Sequence, residues 1–208
     1  ELTAFTGSHG APPEAVERYL RARRILRAQL LARSPEPVQL LEEALAVAPD
    51  FAPAQAAHAI ACVMVWFFPD RAPARDWAAV AEASVARALA AAPDAPESHL
   101  ASARLRSHRG ELGQAVASLR IALSLAPTAA DVHYIIGQLE CETGRVDEGL
   151  ARLALATELE PTATTFAYER ARIEGLSGKR EAFRASLSHV FKHSPGLPPT
   201  HIDRKSVV

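Results

Sequence analysis

Side chains able to do chemistry are plentiful in this 208-residue chain, but few of them stand at spacings that chemistry would use. Of eight histidines, His189 and His193 are four apart and would share one face of a helix. Two imidazoles alone leave a metal half-held. No third donor stands nearby, and neither an HExxH motif nor paired cysteines occur, so the pair reads as structural or surface. Cys62 and Cys141 are distant in sequence and suit two small buried side chains better than a disulfide or a metal site. Serine, histidine and aspartate are present, yet none sits on a nucleophile elbow, and no glycine pattern could cradle a phosphate. The expectation is a chain that is not an enzyme and that carries no catalytic residue, metal or cofactor.

Recognition chemistry is better represented. Trp66, Phe67, Phe68 and Trp77 fall within twelve residues of a chain that is only 6% aromatic. Two readings are open: a projecting hydrophobic lip that grips a partner, or rings folded back over the core, the commoner fate of aromatics. The net charge of −1 and pI near 6.8 argue against direct nucleic-acid contact, which favours a basic excess. The longest apolar run, Ala59–Phe68, has ten residues, half of the roughly 20 that a membrane span needs. It predicts a core helix.

What must position these groups is a repeat. Ala44-Leu45-Ala46-Val47-Ala48-Pro49 returns as Ala88–Pro93, Ala122–Pro127 and Ala156–Pro161, with a degenerate copy at Val190–Pro195. Pro93, Pro127, Pro161 and Pro195 are 34 residues apart, and Pro49 precedes Pro93 by 44, the same unit with ten residues inserted. Proline cannot continue a helix and restricts the residue before it, so each copy ends one helix and lets another begin. Midway between these breaks stand Gly110, Gly144 and Gly178, also 34 apart, suited to the left-handed turn between two antiparallel helices. Each unit is therefore a helical hairpin. The expected helices are 13–33, 35–47, 52–67, 73–91, 95–109, 111–125, 129–142, 145–159, 163–176 and 179–193.

The pattern resembles the tetratricopeptide repeat (TPR). Ala103, Gly137 and Ala171 match the family's small residue in the first helix. Ala81, Ala115 and Gly149 match its early alanine in the second, with Ala182 one residue early, and Leu119, Leu153 and Leu187 follow as the bulky apolar residue. The family's aromatic at the start of the first helix is missing: His99, His133 and Ala167 stand there. The resemblance implies an all-α, right-handed superhelix of about five hairpins and ten helices, with an insertion in the second. The array would span 13–195, with flexible ends at 1–12 and 196–208. The stretch Tyr19–Leu26 followed by Leu40–Leu45 further resembles the first unit of arrays in bacterial multidomain regulators, of winged-helix or nucleotide cyclase type. That implies an alternative role as a sensory domain for a small effector. With Glu rather than Met at position 1, the chain is expected to be a piece of a longer protein or a processed product.

In such arrays the first helices line a concave groove, so the resemblance implies a protein-interaction scaffold for a peptide or partner domain. Helical spacing projects Tyr19, Arg23 and Arg27, then Ala56, Ile60 and Val63, then Leu100, Arg104, Ser107 and His108 onto that face. Asp131, Tyr134, Gln138 and Cys141 follow, and then Tyr168 and Arg172. Arginine would take carboxylates, with tyrosine and leucine as anchors. Lys and Asn are not at the positions where the chaperone-docking relatives clamp a C-terminal carboxylate, so that activity is not implied. Neither localisation nor oligomeric state is readable from these residues.

Overall fold

Two kinds of punctuation set most of the helix ends. The computed structural model describes residues 10–28, 35–68 and 74–193. Residues 1–9, the expected last turn of the first helix at 29–33, Pro69–Pro73 of the insertion, and the tail from 194 lie outside the described residues. Ten helices and no strand are found among those described: α1 Pro13–Ala28, α2 Glu36–Val47, α3 Ala52–Phe67, α4 Trp77–Ala91, α5 Pro96–His108, α6 Leu112–Leu125, α7 Ala130–Glu142, α8 Val146–Leu159, α9 Thr164–Leu176 and α10 Arg180–His193.

The glycine breaks behave as the spacing predicts. Gly110, Gly144 and Gly178 take φ of 76°, 88° and 72°, which costs a residue without Cβ little. The next residue reaches back five positions: the N–H groups of Glu111, Arg145 and Lys179 donate to the carbonyls of Arg106, Glu140 and Glu174 at 2.8 to 2.9 Å. This is a Schellman closure repeated three times. The proline breaks are equally regular. Ala48, Ala92, Ala126 and Glu160 leave the helix with φ between −133° and −141°, each ahead of its proline. The fourth helix starts at Trp77 because Asp76 caps it, its carboxylate accepting the Ala79 N–H at 3.1 Å.

Adjacent helices pair into five hairpins, α1–α2 through α9–α10. The chain forms two compact units, Glu1–Pro127 and Thr128–Val208, the first with three hairpins and the second with two. Within the first unit α3 packs on both α1 and α2, and α5 on both α3 and α4; within the second, α9 packs on α8. The first unit's core is an alanine stripe, with Ala59, Ala81, Ala88, Ala101, Ala103 and Ala115 fully buried. Small side chains let the backbones approach closely. Ala11, inside the segment read as a loose lead-in, belongs to this core.

The second unit crosses its helices differently. A Cβ on Gly137 would lie 2.9 Å from the Gly149 carbonyl oxygen, and one on Gly149 would meet the Gly137 carbonyl at 2.6 Å and the Cys141 sulfur closer still. Here the crossing demands glycine on both helices. In the next hairpin the register position of Gly149 holds Phe183, not the neighbouring Ala182, which stays half-buried. Room for the ring comes from Gly175, which occupies Cys141's position and whose Cβ would touch Phe183 at 3.3 Å.

Candidate functional site

The face of the first helices is built by register. The 44- and 34-residue spacings put Ile60, Arg104, Gln138 and Arg172 at one equivalent position, and Met64, His108, Glu142 and Leu176 one turn later. Each unit presents its own part of this series.

In the first unit, Tyr19 is only 5% exposed and packs edge-on against Phe51, ring centroids 5.2 Å apart. Arg23 covers it, its guanidinium 5.6 Å above the ring and donating to the phenolic oxygen at 3.2 Å. Burial raises the tyrosine pKa, offset in part by Arg23 and influenced further by Glu97 and Arg27. Charges of α1 and α5 therefore converge around this ring. Tyr19 is a core residue with an arginine lid rather than an open anchor, and Leu100, Ala56 and Val63 are likewise core. Ile60, Arg104 and His108 are half-buried and remain on the face.

Charge distinguishes this face. Helix α1 carries five arginines against two glutamates, α3 carries no charged residue, and α5 carries Arg104 and Arg106 against Glu97. Several of these arginines turn to neighbouring elements: Arg18 pairs with Glu43 at 3.2 Å, Arg21 with Glu36 at 2.7 Å and Arg106 with Glu111 at 3.1 Å.

The second unit is acidic in the same places. Arg172, expected to meet a ligand carboxylate, is held by Glu169 through two hydrogen bonds of 2.6 and 3.0 Å. Burial raises the Glu142 carboxyl, and Glu169 adds to the rise. Tyr134 is 8% exposed and lies 4.9 Å from Phe166. Gln138, Tyr168 and Asp131 are half-buried, as is Cys141. Glu169 stands three residues before Arg172, a spacing at which a helix pairs opposite charges, so its role was open to sequence reasoning that passed it over. Phe166 offers no such local signal, because its partner lies a full hairpin away.

The insertion's aromatics divide. Trp77 is buried at 8% exposure, with Arg75 5.1 Å above its ring, so it leaves the lip and joins the core. Trp66 is half-buried. Phe67 and Phe68 are exposed at 47% and 38%.

A polar layer inside the hairpins escaped the sequence reading. Cys62, Arg106, Glu140 and Glu174 occupy equivalent positions on the first helices. Ser84 donates to the Cys62 sulfur at 3.8 Å, and Arg106 donates to Ser102, whose hydroxyl lies 3.2 Å from that of Ser118. In the second hairpin the Cys62 sulfur lies 3.5 Å from His58 Nε2, which lies 3.8 Å from Glu42. The trio has the look of an activated thiol, but its energetics oppose that. Burial pushes the Cys62 thiol up to about 11 and the His58 imidazole down to about 4, so the thiolate–imidazolium pair is disfavoured and no substrate reaches it. Farther along, Arg152 meets Glu140 at 3.4 Å and Arg170 donates to the 2%-exposed Glu174 at 2.8 Å. His189 Nε2 and His193 Nδ1 lie 3.1 and 3.0 Å from the carbonyls of Pro161 and His189. Among the described residues no helix is long and apolar enough to cross a membrane.

No family model and no curated protein matches this chain. Solved structures match in fold. TTC0263, a thermophilic TPR protein in Thermus thermophilus, aligns at TM-score 0.58 and 21% identity over 83% of this chain and 86% of its own. MamA aligns at 0.51 and 12%, over 77% of this chain and 88% of its own. Human IFIT1, as a dimer with m7Gppp-AAAA, aligns at 0.63 and 16%, over 83% of this chain but 44% of its own. The fold is the all-α TPR fold.

Proposed function

We propose that the chain is a protein-interaction scaffold whose first unit receives an acidic segment of a partner protein on the face of α1, α3 and α5. The observation that carries this reading is the arginine excess of α1 and α5, with the uncharged α3 and its Ile60 packed against both helices. Arg23 and Arg104 are the charge contacts; Ile60 and His108 supply apolar surface between them. Recognition is passive. A face already ordered by the hairpins spends little of its binding energy on its own ordering. In the second unit Arg172 is occupied by Glu169. The regulator-domain alternative rests on the residues of the first hairpin, and no feature of the described residues adds to it.

The test is selection of random 16-residue peptides against the full chain. Acidic peptides should be enriched, and charge reversal in Arg23→Glu/Arg104→Glu should weaken them at least about tenfold while helicity is unchanged. Enrichment without acidic character, or undiminished binding to the variant, would overturn the assignment.

A further inference from the structure

The C-terminal ends of α3 and α5 hold a cluster that charge alone does not use. Phe67 lies nearly flat on His108, ring centroids 3.8 Å apart and planes 17° from parallel. Phe68 meets Phe67 edge-on at 4.6 Å and 84°. Trp66 approaches His108 edge-on at 6.4 Å, and the Arg109 guanidinium sits 5.9 Å over the indole. Burial, with Arg104 beside it, lowers His108 to about 4, so this imidazole is neutral at neutral pH and the platform is apolar. Stacking thus holds a solvent-exposed phenylalanine pair in fixed geometry.

Building on the scaffold reading above, we infer that this cluster is an anchor subsite for an aromatic side chain of the acidic segment, seated against Phe67 and Phe68. Phe67 and Phe68 are 47% and 38% exposed, so a partner's ring can reach the pair. Aromatic pairs in face-to-edge or offset-stacked arrangements gain energy beyond the area they bury, an advantage an aliphatic side chain lacks. The segment's charge follows from the arginine excess of α1 and α5. A single-stranded nucleic acid fits less well. It needs successive stacking platforms along a basic track, whereas the rings gather at one end and α3 between the arginine-bearing helices carries no charge.

The same selection, run on the full chain and on Phe67→Ala/Phe68→Ala, tests this. Wild-type peptides should carry an aromatic residue within their acidic stretch. The variant should enrich acidic peptides without it and should bind a wild-type-selected peptide about tenfold more weakly. Phe67→Leu, which keeps apolar bulk without the ring, should also lose the aromatic preference. Acidic peptides lacking an aromatic residue in the wild-type selection, or aromatic enrichment surviving in the variants, would overturn the subsite and leave the scaffold reading standing. Absence of any acidic enrichment would overturn both. Tighter binding of a 20-nucleotide oligouridine than of the peptides, lost in Phe67→Ala/Phe68→Ala, would assign the cluster to nucleic acid instead.

Discussion

The two units repeat one hairpin and fill it with opposite chemistry. In the first, alanines make the helix crossings and the polar layer is neutral or basic, with Ser84 donating to Cys62 and Arg106 donating to Ser102. In the second, glycines or a glycine–phenylalanine exchange make the crossings, and the equivalent positions hold Glu140 and Glu174. The contrast continues outward: arginines dominate the first-helix face of one unit, carboxylates that of the other. A repeat fold thus fixes where side chains point and leaves their charge free, so each unit can present a different surface on the same frame.

The sharpest way to break this contrast lies in the fifth hairpin. Arg170→Met leaves Glu174 a buried carboxylate without its cation, while the same change at the half-buried Arg106 strands no buried charge. A loss of about 3 kcal/mol is expected for Arg170→Met, largely recovered in Arg170→Met/Glu174→Leu. Urea unfolding measures both, and an additive double variant would contradict the pairing.

Glycine substitutions come next and differ in sign. Gly149→Ala gains roughly 1 kcal/mol of helix propensity but drives a Cβ onto the Gly137 carbonyl and the Cys141 sulfur, an overpacking that costs up to about 3. A net loss near 2 kcal/mol follows. Gly113→Ala in the first unit meets nothing within 4 Å and should stabilise by about 0.5 kcal/mol. Thermal unfolding of the two variants should move in opposite directions.

Acid should act first on the first unit. His58 is lowered from 6.5 to about 4 by burial, which outweighs the attraction of Glu42, with Arg87 and Arg75 adding to the depression. The folded state therefore binds fewer protons than the unfolded chain between those values. Stability is full above pH 6.5 and falls as pH drops toward 4, by an amount on the order of 3 kcal/mol. His108 is lowered over the same range, so His58→Leu should flatten that fall in part in a pH series of unfolding midpoints, and an unchanged slope would remove His58 as a source.

Much of this was legible in the sequence, for local reasons. The prolines and glycines set helix ends through backbone restrictions that act within a residue or two, and the helices begin and end close to where those breaks place them. The exception is the start of α4, where the reading ran to residue 73 past the Asp76 cap. The arginine excess on α1 is equally plain in the sequence. Burial was not. Tyr19 and Tyr134 look like open anchors on a helical projection, but each is covered by a ring from another helix or its cap, Phe51 or Phe166. The exchange of Phe183 against Gly175 is hidden in the same way, since neither residue alone signals that the other makes room.

The central claim is that the arginine-rich face of the first unit, and not the carboxylate-rich face of the second, reads the partner. Titrating one selected acidic peptide by fluorescence anisotropy against the wild type, Arg23→Glu/Arg104→Glu and Glu142→Lys tests it most directly. The account predicts affinity at least about tenfold weaker for the first variant and within about twofold of wild type for the second. A first variant that binds like the wild type, or a second that alone changes affinity, would contradict it.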